Sequence, residues 1–131
     1  LSMDIEAYAV KNYVPLLATF ETEALYKYVQ KRYTEILKKI PHAWVIGGFD
    51  DPFLIPPDSV PATAEILSCL DTNIEKMWIV VTKGDNGPFG LVAEDLGNDK
   101  FRGFFTTDSK IIEKVIKIIN ATMRIDINFS K

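Results

Sequence analysis

The run from Met77 to Ile119 constrains the fold of this chain more than any other feature. It reads MWIVVTK, a Gly/Pro-bearing turn, FGLVAEDL, a second turn, FRGFFTTD, and then SKIIEKVIKII. Met77–Thr82 is almost entirely apolar, which predicts a central strand covered on both faces. Lys83 to Pro88 form a turn into a strand over Phe89–Leu96. Gly97-Asn98-Asp99 then make a tight hairpin into Phe101–Thr107. Thr107 or Asp108 caps the next helix, whose residues Ile111, Ile112, Val115, Ile116 and Ile119 form one apolar stripe. The unit is a three-strand meander closed by an amphipathic helix.

The remainder supplies further elements. In residues 1–18, AYAVKNYV alternates like a strand, while the alanines and Pro15 suit a short helix that breaks there. Thr19 is placed to cap a helix over Phe20–Ile40, with Glu21 and Glu23 in its first turn. Tyr26, Val29, Tyr33, Ile36 and Ile40 step by three and four residues along it, a seam of two heptads, and Pro41 ends it. AWVIGGF (43–49) reads as a buried strand with a bulge or close approach at Gly47 and Gly48. Pro52, Pro56, Pro57 and Pro61 stiffen an irregular connection. A helix is expected over Ala62–Leu70. Met123, Ile125, Ile127 and Phe129 alternate with polar residues, predicting a last, half-buried strand. The expected architecture is α+β in one domain, with a mixed, largely antiparallel sheet. That sheet holds the meander plus two further strands, and helices cover it.

Composition narrows the function classes. The chain is 47% apolar and 25% charged, a globular balance over 131 residues. Its net charge of −3 gives no basic footprint for a phosphate backbone, so no direct nucleic-acid contact is expected. The basic cluster Lys27, Lys31, Arg32, Lys38 and Lys39 reads as a solvated helix face. One cysteine, Cys69, and one histidine, His42, cannot form a disulfide or a Cys/His zinc site. No apolar run reaches the ~20 residues of a bilayer span, and the leading residues have no basic segment of a signal peptide. A cytoplasmic protein without membrane contact is the expectation.

Catalytic kits fail on inspection. His42 follows a helix-ending proline, Cys69 sits on an apolar helix face, and there is no G-x-S-x-G elbow. Asp50, Asp51, Glu94, Asp95 and Asp108 flank strand ends, but their spacing matches no EF-hand loop. KGDNGPFG leads into a strand, whereas phosphate cradles lead into helices. Alternation puts Val92 and Glu94 on one face, so Glu94 stands at the rim of a covered surface. Phe104 and Phe105 must point to opposite faces, one towards a pocket and one under a helix.

WVIGGF at 44–49, MWIVV at 77–81, GLVAE at 90–94 and FRGFFTTD at 101–108 together resemble the DICT sensory domain. Ala93-Glu94 matches its alanine-acid pair, and Thr106-Thr107-Asp108 its T-x-D before a helix. The resemblance covers about residues 42–120. It implies a non-enzymatic input module, found with diguanylate cyclases, two-component proteins and transcription regulators, that binds an unknown small ligand and acts on an effector partner. Trp44, Trp78, Glu94, Phe104, Phe105 and Asp108 are the candidate ligand contacts, with no metal and no known cofactor. The seam Tyr26, Val29, Tyr33, Ile36, Ile40 would then form a homodimer, unless that helix packs on its own sheet. Two alternatives stand beside this reading: the effector-binding domain of a sugar-sensing transcription regulator, and a small enzyme using Glu94 and Asp108 as acid and base.

Overall fold

The computed structural model describes residues 2–20, 31–48, 64–69, 72–84, 87–98, 100–127 and 129. Helix α1 spans Ser2–Asn12 and strand β1 Leu16–Phe20. Residues 31–37 are the described part of α2. Strands β2 (Ala43–Gly47), β3 (Ala64–Ser68), β4 (Met77–Gly84), β5 (Gly87–Gly97) and β6 (Lys100–Thr106) follow, and helix α3 covers Ser109–Met123. The six strands form one sheet in the order β3-β2-β1-β4-β5-β6. Strands β1, β2 and β3 run parallel, and the other three pairings are antiparallel. The fold is α+β with a mixed sheet.

The meander and its helix lie where the sequence put them, and β4 is internal, between β1 and β5. Gly97 and Asn98 both take left-handed backbone at the β5–β6 hairpin, beside a bulge at Asp95/Gly97. Asp108 caps α3 by accepting from the Lys110 N–H at 2.9 Å. Arg124, in left-handed geometry, ends it.

Elsewhere the structure corrects the sequence expectations. Residues 2–18 resolve into α1 and the start of β1, with Tyr13 in left-handed backbone between them. Thr19 caps no helix: it is fully buried in β1, whose five residues are all in the core. The expected helix 62–70 contains a strand instead, because β2 presents an open parallel edge that Ala64–Ser68 fills. The sheet therefore has three strands beyond the meander, not two. Gly47 pairs regularly with Phe20 and Ser68, without a bulge. In the expected strand 123–129, Met123 is α3's last residue and residues 124–127 form a tail without strand pairing. Its Ile127 is held by the Asn120 side chain, which donates to the Ile127 carbonyl (3.1 Å) and accepts from its N–H (2.7 Å). Tyr26, Val29, Lys27 and the prolines of 52–61 lie outside the described residues.

Two apolar layers result. On one face of the sheet α1 and α2 bury Ile5, Ala9, Leu16, Ala18, Leu37, Val45 and Val80. On the other, α3 and the tail bury Leu17, Ile46, Ile79, Val81, Val92, Ile112, Ile119 and Ile127. One charge enters the first layer. Glu6 of α1 is buried and takes hydrogen bonds from Arg32 and the Tyr33 hydroxyl of α2.

Candidate functional site

The register of the meander decides what its side chains can form. Trp78, Ala93 and Gly103 lie in one row across β4, β5 and β6, and Val80, Leu91 and Phe105 in the next row on the same face. Val80 and Leu91 belong to the α1-side layer, which fixes that face. Helix α1 lies over β4 and reaches β5 only lightly. Trp78 (38% exposed) and Phe105 (45%) stand there at the surface. Their Cα atoms lie about 12 Å apart, two strand spacings across and two residues along.

Between them the floor is low. Gly103 carries no side chain, and none fits: a Cβ there would sit 2.2 Å from the Val92 carbonyl oxygen and 2.6 Å from Ala93 Cα. The result is an apolar shelf of Leu91, Ala93 and Gly103 with an aromatic ring at each end.

The opposite face carries Glu94 and Phe104. Val92 is buried there, as the alternation required, and Glu94 stands at the rim, 3.4 Å from Arg102 across the hairpin. Phe104 is 46% exposed beside it on β6. Phe104 and Phe105 thus point to opposite faces.

The six expected ligand contacts do not form one site. Trp78 and Phe105 share the shelf, while Glu94 and Phe104 share the other face. Trp44 is core: its ring packs between His42 (4.4 Å between centroids) and Phe129 (5.2 Å). Asp108 is the α3 cap, and its own N–H is held by Thr106 Oγ1 at 3.0 Å, so T-T-D is a helix start. Glu94 is level with Arg102, and Asp108 lies past the end of β6, at the start of α3. At about 3.4 Å per residue, the four steps from Arg102 to Thr106 set the two backbone positions at levels about 13 Å apart. An acid/base pair acting on one bond sits within about 10 Å. Glu94 and Asp108 thus stand at different levels of the meander.

The dimerisation seam is likewise redirected. Tyr33 and Ile40 are buried in the chain's own core and Ile36 packs against it, so the described part of the seam faces its own sheet. Ile111, expected to point inward, is exposed, and so is Ile118.

Cys69 follows β3 directly and lies on no helix. Its carbonyl accepts from Thr72, by both N–H and Oγ1. Burial, and secondarily the charge of Glu75, push its thiol from 9.0 up to about 11, so it is a packed thiol at neutral pH. Among the described residues no three His, Cys, Asp or Glu side chains converge as metal ligands. No helix among them is long and apolar enough to cross a membrane.

Sequence reasoning missed one side-chain cluster and one exposed isoleucine. The Glu6–Arg32–Tyr33 cluster had one signal, an acid inside the apolar stripe of Ile5 and Ala9. Ile118 had another, an isoleucine following Lys117 outside the apolar stripe. No family model, no curated protein and no solved structure matches this chain.

Proposed function

We propose that the chain is a non-enzymatic sensory module, of the kind the DICT resemblance implies, that binds a small ring-bearing ligand on the Trp78–Phe105 shelf. The observation that carries this reading is that two large aromatic side chains stand exposed on one face with an apolar floor between them. Exposed tryptophan is costly to solvate and is enriched where one face awaits a partner. A flat ring gains stacking from both ends and excludes water from Leu91, Ala93 and Gly103. The module would report occupancy to an effector domain or regulatory partner in the cytoplasm.

The test uses the two tryptophans. Trp44 is packed in the core, so Trp44→Phe leaves Trp78 as the single emitter. Nucleotides, sugars and aromatic metabolites are screened by thermal shift, and hits are titrated against Trp78 emission. The reading requires saturable quenching that Phe105→Ala weakens at least tenfold, with no turnover of the ligand. A hit whose affinity is unchanged in both Trp78→Ala and Phe105→Ala would move the site elsewhere.

A further inference from the structure

Strand β6 ends the sheet, and the residues around its outer edge are more apolar than an edge exposed to water favours. Phe104 and Phe105 are exposed on its two faces. Helix α3 adds Ile111 and Ile118, also exposed. Their direction follows from the opposite flank. Glu113 reaches Lys83 of β4 at 4.0 Å, and Asn120 holds Ile127 of the tail. Ile111 and Ile118 each lie two residues away from these, about 200° around the helix, and so face the β6 side.

Their height along the sheet can also be placed. Ile112 packs where a Cβ of Gly90 would sit (3.3 Å), and Gly90 pairs with Thr106, so Ile112 is level with Thr106. Only residues 107 and 108 join β6 to α3, so the helix runs back antiparallel to the strand. Phe104 lies about 7 Å below Thr106 and is level, within about 3 Å, with the midpoint of Ile111 and Ile118.

We propose that two copies of this chain pair through β6, antiparallel, about a two-fold axis at Phe104, to make one continuous twelve-stranded sheet. Such an interface must be self-complementary, residue i meeting j and j meeting i. With the axis at Phe104, Phe104 lies opposite its own mate on the α3 face. Ile111 approaches the partner's Ile118 above that pair, and Ile118 the partner's Ile111. On the other face Gly103 lies opposite the partner's Phe105, so the β6 ends of the two Trp78–Phe105 shelves meet across the axis. At both ends Lys100 comes level with the partner's Asp108, just past the end of β6, an exposed base near an exposed acid. Arg102 meets the partner's Thr106 and keeps Glu94, so no like charges oppose. An axis at Gly103 would set glycine on glycine and lose the Lys100–Asp108 pair. This pairing differs from the helical seam, because it uses exposed residues of β6 and α3 in place of the buried Tyr33 and Ile40.

Analytical ultracentrifugation of the whole chain tests the proposal. The wild type is expected at twice the chain mass of 14.8 kDa, and Phe104→Asp at 14.8 kDa with its circular dichroism unchanged. Phe104→Cys tests the register. Opposed residues of an antiparallel pair have Cα atoms about 4.5–5.5 Å apart, within disulfide reach, and the native Cys69 is buried. A disulfide-linked dimer on non-reducing electrophoresis is the expected result. A wild-type monomer at high concentration overturns the proposal. So does a Phe104→Asp variant that stays dimeric, or a dimeric Phe104→Cys variant that forms no bond.

Discussion

The Tyr33 hydroxyl of α2 donates to Glu6 of α1, so the acid that one helix buries is held by the other. Arg32 donates to the second carboxylate oxygen. These bonds join two helices that are separated in sequence by β1. A buried carboxylate that loses a partner keeps its desolvation cost. Tyr33→Phe is therefore expected to lower unfolding stability by about 1.5–3 kcal/mol in urea titration. A change under about 0.5 kcal/mol would mean that Arg32 and water satisfy Glu6 unaided.

A second prediction concerns the seam between the two halves of the sheet. Thr19 Oγ1 accepts from the Ile79 N–H at 2.7 Å and donates to the Met77 carbonyl at 3.0 Å. At the other end of the same strand pair, Thr82 Oγ1 donates to the Pro15 carbonyl at 2.7 Å. Both threonines are fully buried. Thr19→Val keeps the shape and strands two backbone groups, at a cost of about 1–3 kcal/mol. Thr82→Val strands one and should cost less. The exposed Thr122→Val serves as the control, and equal effects at all three positions would refute the assignment.

Two glycines should respond differently to alanine. At Gly103 the added methyl meets backbone at 2.2 and 2.6 Å, so the β5–β6 ladder must open. At Gly90 it meets side chains alone, Ile112 at 3.3 Å, which can turn aside, and Val81 at an ordinary 3.5 Å. Gly103→Ala is expected to lose at least about 2 kcal/mol and Gly90→Ala no more than about 1. Hydrogen exchange at Val92 and Ala93 should rise in the first variant alone.

Cys69 gives a pH signature. Its thiol is raised from 9.0 to about 11 by burial and by Glu75. The folded state thus holds its proton more tightly than the unfolded chain does. That contribution is complete below pH 9 and is lost as pH rises through 11. Wild type should lose on the order of 2 kcal/mol more than Cys69→Ala over that interval. Parallel stability curves for the two proteins would show that the thiol is not the group responsible.

How much could be read beforehand depended on the distance between partners. The meander was legible because β4, β5 and β6 pair with their chain neighbours, so local alternation and turns at Gly97-Asn98 carry the information. The Asp108 cap was legible for the same reason. Strand β3 was not, because Ile66 and Leu67 suit either a short helix or a strand. The open edge of β2 decides between them, and that edge is a tertiary fact. In the tail the alternation was real, since Ile127 is buried and Ile125 and Phe129 pack against the same layer. What it could not show is that the Asn120 side chain, not a neighbouring strand, satisfies Ile127. At the candidate site, the opposite aim of Phe104 and Phe105 followed from strand geometry. The burial of Trp44 followed from its buried strand, but its ring partner did not, because Phe129 lies 85 residues on.

The mixed sheet also implies an order of assembly. Strands β4, β5 and β6 close hairpins between near neighbours, whereas β1 must find β4 across a long stretch of chain. The Thr82–Pro15 bond spans 67 positions and the Thr19–Ile79 bond 60. Loop closure of that length makes the joining of the two halves the slow event. In stopped-flow refolding, Thr19→Val should then leave the folding rate nearly unchanged and accelerate unfolding. The meander would serve as a template that exists early, and β1 as the strand whose arrival completes the protein.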